Sequence, residues 1–288
     1  MSTIRAGSPR SYALAAPAAL WMFGALVVPI LLIVWVSFWA TRAFSPANPL
    51  GLVNYAKFFS RPAYVGLVGD TVRQALLLMA ITLPLAYAIA YFIAVKVRRP
   101  RVRTALFVLL LIPFWTSALI RSIAWIPFLG VTGVINQALL FLGVVDQPVE
   151  AFLYSRTGIT MAQVSLYTLL AAGPIVYVLR TIPPSFGEAA MCLRAPPVAV
   201  FRRITLPLTL PGVVIGQLLV FLNVMADFAT AAAIGGNKHA FLGNLVILLY
   251  DGGQLAFASV IAVLLMLCML AGVAVLLKVV DIRRLGVT

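Results

Sequence analysis

Long apolar runs separated by shorter polar stretches dominate the chain. Six of them lie at about 12–40, 74–95, 104–127, 158–179, 206–234 and 255–277. Each holds about 20 residues or more, and at about 1.5 Å of rise per residue a helix of that length crosses about 30 Å of hydrocarbon. The pattern predicts an all-α polytopic membrane protein with six transmembrane helices. One stretch is ambiguous. Residues 122–145 carry no charge and are long enough for a seventh span. Pro127, Gly130 and Gly133 punctuate it, and a seventh span would put Arg180, Arg194, Arg202 and Arg203 outside. Residues 122–157 are therefore expected to form an external loop, with a short helix at the surface or dipping partway into the membrane.

Composition and charge fit the same picture. Of the 288 residues, 63% are apolar and 10% charged, whereas a soluble domain carries about 25% charge. The net charge of +14 would point to nucleic acid in a soluble chain. Here the cations follow the six-span topology, so no nucleic-acid partner is expected. Arg5, Arg10, Lys96, Arg98, Arg99, Arg101, Arg103, Arg180, Arg194, Arg202, Arg203, Lys278, Arg283 and Arg284 fall on one side. Only Arg42, Lys57, Arg61, Arg156 and Lys238 fall on the other. Cytoplasmic loops collect Lys and Arg, which predicts both termini in the cytoplasm. The first apolar run exceeds the 7–15 residues typical of a signal-peptide core, so an uncleaved anchor is expected. Cys192, Cys268 and His239 are the only residues of their types, and their spacing makes neither a disulfide framework nor a metal site. No loop is long enough for a soluble domain. An energy source or ligand-capture domain is therefore expected on another chain.

Between the fourth and fifth spans lies GEAAMCLRAPPVAVFRRITLPLTLPG, residues 187–212. Residues 188–193 are fair to good helix formers. Ala195, Pro196 and Pro197 break the chain, and Pro197 suits the first turn of a second helix. The stretch predicts a helix–turn–helix on the cytoplasmic surface that exposes small alanines, one carboxylate and several cations. An ordinary positively charged loop is the plainer alternative. The order Glu188-Ala189-Ala190, Ala195, Phe201, Ile204, Leu206-Pro207, Pro211-Gly212 resembles the EAA loop of ABC-importer permeases. The stretches 111–125, 141–149 and 227–246 are similar to the spermidine/putrescine branch of that family.

This resemblance covers most of the chain after about residue 50. It implies a type I, MetI-like permease fold in the bacterial inner membrane. Residues 1–50 would hold the tail, the first helix and the start of an external loop. Residues 51–288 would form a permease core with five helices, including a coupling loop at 183–205. It further implies a cytoplasmic ABC ATPase dimer as partner, with Glu188, Ala189, Ala190 and Leu193 at the contact and Arg194 and Ala195 at its turn. A second permease subunit, a paralogue or a copy, and a periplasmic solute-binding protein complete the expected assembly. ATP would be bound by the ATPase, so this chain would need no cofactor and have no catalytic residue. The family pattern places glycine where Arg194 stands, and glycine suits a positive-φ turn far better than arginine.

Ionisable residues inside spans are functional candidates. Arg121 and Asp227 lie about 25 and 30 Å along the third and fifth spans at helical rise. Asp227 is expected either to line the pathway and meet a cationic amine or to pair with Arg121. Trp115, Trp125, Phe128 and Phe228 suit either the interfacial aromatic belt or stacking on substrate. Arg121, Asp227 and Trp115 are the pathway candidates, and Arg73 is expected at the interface. Lys238 lies in a loop that could meet a binding protein. A polyamine is the expected solute, with opines, amino-acid derivatives and aminophosphonates as alternatives. Two other classes compete. An ion-coupled secondary transporter would use Asp227 as its titrating group. A membrane enzyme such as a lipid transferase would need paired carboxylates, and the nearest pair, Asp146 and Glu150, lies in an external loop.

Overall fold

The computed structural model describes residues 16–18, 20–39, 50–236 and 239–279. Arg5, Arg10, Arg42, Lys238, Arg283 and Arg284 lie outside the described residues. Six helical segments are long and apolar enough to cross a membrane: Ala16–Ser37, Pro62–Lys96, Ala118–Phe141, Arg156–Thr181, Pro197–Met225 and Leu255–Lys278. No strand forms among the described residues, and one isolated bridge pairs Trp39 with Leu50.

In chain order the helices are α1 (Ala16–Ser37), α2 (Val53–Phe59), α3 (Pro62–Lys96), α4 (Pro100–Leu111), α5 (Ala118–Ile123), α6 (Ile126–Leu129) and α7 (Val134–Phe141). After these come α8 (Arg156–Thr181), α9 (Ser185–Cys192), α10 (Pro197–Met225), α11 (Ala229–Gly235), α12 (Leu242–Asp251) and α13 (Leu255–Val279). α3 closes in a wide π turn at Phe92–Lys96, and α10 contains another at Phe201–Thr205.

The chain divides into two compact units. One takes in the described residues up to Arg61 with Val246–Leu264, the other Pro62–Leu245 with the described residues from Leu265 on. In the first unit the Ser37 and Tyr55 hydroxyls share a hydrogen bond of 2.8 Å, and Asn54 Nδ2 donates to the Trp39 carbonyl at 2.7 Å. There the Lys57 ammonium also sits 4.3 Å from the centre of the Phe257 ring.

The second unit is built on α3, α8 and α10, which pack on one another. α3 buries Thr71, Gln74, Ala75, Leu78, Thr82, Ala86 and Ala90, spaced so that they share a face. Small residues let α10 approach α8 closely. A Cβ on Gly216 would lie 2.7 Å from the Ala171 carbonyl oxygen, and one on Gly212 would lie 2.8 Å from that of Pro174. A second core cluster joins α6, α8 and α11 through Leu129, Ile159, Ala162, Ala231 and Ile234.

Several boundaries differ from the hydropathy pattern. The second span starts at Pro62, so Asp70 and Arg73 lie within a helix rather than at its start. The third expected span, 104–127, is not one helix. A 3₁₀ turn at Ile112–Trp115 follows α4, and Thr116 and Ser117 are extended before α5 begins. Here the Thr116 Oγ1 donates to the Pro113 carbonyl at 2.9 Å, a local side-chain bond that competes with helix continuation.

The segment of spanning length is instead 118–141, itself made of α5, α6 and α7. It takes up much of the stretch expected to be an external loop. The fifth expected span ends at Met225, and Asp227 falls in the break before α11. Depths reckoned along unbroken helices therefore do not apply to Arg121 or Asp227. α12 lies where the apolar pattern predicts only loop.

Candidate functional site

The polar stretch at 187–212 folds as two helices joined by a tight turn. α9 ends in a doubly hydrogen-bonded cap: the Ala195 N–H donates to the Ala190 carbonyl at 3.1 Å and the Arg194 N–H to that of Met191 at 2.9 Å. This Schellman arrangement requires a left-handed residue at its centre. Arg194 supplies it, with φ of 59°. The arginine takes up the turn geometry in full, against the steric preference of an L side chain. Pro196 is extended and Pro197 opens α10.

The exposed face of this turn carries Glu188, Ala189, Leu193 and Arg194, with Ala190 and Ala195 half-buried. Leu193 is 85% exposed, an aliphatic knob directly before Arg194 in the chain. The π turn behind it sets the Phe201 ring edge-on to Tyr87 and Tyr91 of α3, with centroids 5.6 and 5.9 Å away. The Tyr87 hydroxyl meets Thr209 Oγ1 at 3.0 Å. The turn is thus braced directly against a membrane helix.

Asp227 is buried, and its carboxylate is well partnered. Oδ2 accepts from Gln163 Nε2 at 2.8 Å and from the Tyr167 hydroxyl at 2.9 Å, and Oδ1 accepts from the Thr230 N–H at 3.0 Å. The last bond satisfies an orphan donor in the first turn of α11. The network continues outward. Gln74 Nε2 donates to Gln163 Oε1 at 2.9 Å and to Thr160 Oγ1 at 3.0 Å. It also reaches α5, where the Ser122 and Thr230 hydroxyls share a hydrogen bond of 3.0 Å.

Gln74 and Thr160 line a cavity of about 630 Å³ beside Asp70, Arg73, Trp125 and Arg156. Asp70 and Arg156 form a two-armed ion pair there.

Of the pathway candidates, none of Asp227, Arg121 and Trp115 lines this cavity. Asp227 reaches it through Gln163 and Gln74. Arg121 is half-buried on α5, and its Nε has no hydrogen-bond partner among the described residues. It makes no ion pair with Asp227. Trp115 is 87% exposed on the 3₁₀ turn after α4. Arg73, expected at the interface, lines the cavity, as does Trp125. The polar residues that sequence reasoning passed over are Gln74, Gln163 and Tyr167. Their signal was present, as isolated amides and a phenol inside apolar runs.

The sequence of residues 83–284 matches the family described as "Binding-protein-dependent transport system inner membrane component". The chain belongs to this family. It is 32% identical over 228 residues to the spermidine/putrescine transport system permease protein PotB of Haemophilus influenzae, covering 78% of each chain. Against PotB of Escherichia coli K12 the identity is 31%, covering 78% of this chain and 81% of that one.

Among solved structures, a chain of a bacterial alginate ABC transporter, in complex with an alginate pentasaccharide-bound periplasmic protein, superposes with a TM-score of 0.70 at 18% identity. The match covers 96% of this chain and 95% of that one. At that identity the likeness speaks for the fold. The chain is an inner-membrane permease of the ABC-importer type, a transport component rather than an enzyme. Family membership implies an ATPase and a binding protein as partners.

Proposed function

We propose that this permease carries a polyamine of the spermidine/putrescine class across the inner membrane, paired with a paralogous second permease subunit. A periplasmic solute-binding protein delivers the solute, and a dimer of cytoplasmic ATPase subunits binds and hydrolyses ATP. The basic residues at 96–103 and 194–203 face the cytoplasm, as do both termini. The loop 183–205 docks on the ATPase, with Glu188, Ala189, Ala190 and Leu193 at the contact and Arg194 and Ala195 forming its turn.

One observation carries the docking role: α9 ends in a doubly hydrogen-bonded cap that displays Leu193 almost fully exposed, while the turn after it is braced by Phe201 on α3. Protein interfaces typically have an apolar core with a polar rim. Asp227, Arg121 and Trp115 belong to the pathway wall, with Asp227 acting on the cavity through Gln163 and Gln74. The polyamine assignment rests on what the PotB relatives transport.

The test is uptake of labelled spermidine and putrescine into cells that express the whole transporter. Wild type is compared with Glu188→Lys, and with an ATPase partner unable to hydrolyse ATP. Uptake should need hydrolysis and fall in the variant. ATP-dependent uptake of a different solute would reject the polyamine assignment and keep the permease. Uptake that survives the inactive ATPase but collapses with the proton gradient would reject the docking role.

A further inference from the structure

The junction of α3, α4 and α8 holds an apolar groove that the transport reading does not use. It measures about 540 Å³ and is walled by Ile89, Phe92, Ile93, Leu106, Leu109 and Leu169 among others. Phe92 and Leu109 are 57% and 55% exposed, so in a membrane-spanning chain the groove opens to the bilayer.

Its polar end is strongly basic. Lys96, Arg98, Arg99, Arg101 and Arg103 crowd the short connection between α3 and α4, and no acidic residue occurs between Asp70 and Asp146. Two of these cations adjoin the groove walls in the chain. Lys96 ends the wide π turn that begins at the wall residue Phe92, and Arg103 precedes the wall residue Leu106 by three residues, one turn away on the same face of α4. The connection is short: only Val97, Arg98 and Arg99 separate the π turn from α4, with Val97 and Arg99 extended. Arg103 is half-buried, with its Nε lacking a hydrogen-bond partner among the described residues. Arg180 of α8 adds a further cation 5.9 Å from the Phe107 ring, one turn beyond Arg103.

We propose that this groove is a seat for an anionic phospholipid, with an acyl chain along Phe92, Ile93, Leu106 and Leu109 and the headgroup phosphate between Lys96 and Arg103. Charge complementarity selects the occupant. An apolar trough that ends in five cations and no carboxylate suits a molecule with a long apolar tail and a negative head. A positively charged loop that only sets topology would need no groove, and a helix of a partner subunit would leave the cations unmatched.

The assembled transporter, exchanged into equal amounts of phosphatidylglycerol and phosphatidylcholine, is examined by native mass spectrometry, with ATPase activity confirming that each variant is intact. Wild type should retain phosphatidylglycerol in preference to phosphatidylcholine. Lys96→Gln with Arg103→Gln should weaken that preference by about fivefold per charge removed, whereas Lys96→Arg with Arg103→Lys should keep it. Leu109→Trp, which fills the groove and leaves the basic loop intact, should also lose the retained lipid. Equal retention of the two lipids by wild type would overturn the proposal, as would retention unchanged by either the charge-removing or the groove-filling variant.

Discussion

Tyr167 donates its hydroxyl to Asp227 across 2.9 Å, tying the middle of α8 to the break between α10 and α11. Gln163, one turn earlier on α8, donates to the same oxygen. A carboxylate inside a membrane protein is costly unless its acceptors are filled, and these two side chains together with the Thr230 N–H fill them.

Removing the partners should therefore be graded. Tyr167→Phe deletes one donor and should cost about 1 kcal/mol, the scale of a single interhelical bond in a membrane. Asp227→Asn leaves one acceptor oxygen for three donors and turns an amide N–H₂ toward groups that themselves donate. It should cost about 2–3 kcal/mol. Thermal unfolding of the detergent-solubilised transporter reads both. An Asn variant as stable as wild type would show that the carboxylate does not hold this junction together.

The cap of α9 makes an opposite-signed prediction. Arg194 holds φ at 59°, where an L residue costs about 1–2 kcal/mol relative to the right-handed region and glycine does not. Arg194→Gly should stabilise the turn by about 1 kcal/mol. Arg194→Ala removes the same charge but keeps the strain, and should not. Comparing the two in ATP-dependent uptake separates the charge from the backbone. Uptake lost in both variants means that the guanidinium matters to docking. Uptake kept in Gly alone means that the turn geometry is what matters.

These two places also show what could be read from the chain alone. The number of spans follows from hydropathy because lipid imposes one strong, local rule on helices, but the third falls at 118–141 rather than at the expected 104–127. The turn at Arg194 was legible because Pro196 and Pro197 mark where α9 must stop. The breaks at Thr116 and at Asp227 were not legible. Both lie in uninterrupted apolar runs, and each is marked by a single side chain that hydrogen-bonds nearby backbone, Thr116 to the Pro113 carbonyl and Asp227 to the Thr230 N–H. Such a bond competes with helix continuation without altering the mean hydropathy. The network itself was half legible. Gln74 and Gln163 stand out as amides in apolar helices, but their meeting depends on how α3 and α8 are set against each other, which no local pattern encodes.

Gln217 provides a test of a different kind. It is buried on α10, and neither its Oε1 nor its Nε2 has a hydrogen-bond partner among the described residues. An unmet amide in such surroundings costs free energy, and an apolar side chain of similar size removes that cost. Gln217→Leu should raise the unfolding midpoint of the assembled transporter, with a gain of about 1 kcal/mol. A loss of stability would show that the amide is satisfied in the assembled protein.

The crossing of α10 on α8 depends on two glycines, and the closeness there sets a steep steric penalty. A Cβ at residue 216 would stand 2.7 Å from the Ala171 carbonyl oxygen, and one at 212 would stand 2.8 Å from that of Pro174. Both obstacles are backbone, so no side-chain rotation relieves them, and the helices must separate. Separation would also pull on the Asp227 network, because Gln163 and Tyr167 lie on α8 while Asp227 follows the end of α10. Gly216→Ala should cost about 1–3 kcal/mol, the usual penalty for overpacking a tight interior. Gly216→Leu should prevent recovery of the assembled complex. Serine on the exposed side of the same helix, at Ile215, should leave assembly intact. The readout is the fraction of chain that co-purifies with its ATPase, followed by thermal unfolding of what is recovered. Full recovery and an unchanged midpoint for Gly216→Ala would show that the two helices do not pack this closely in the assembled transporter.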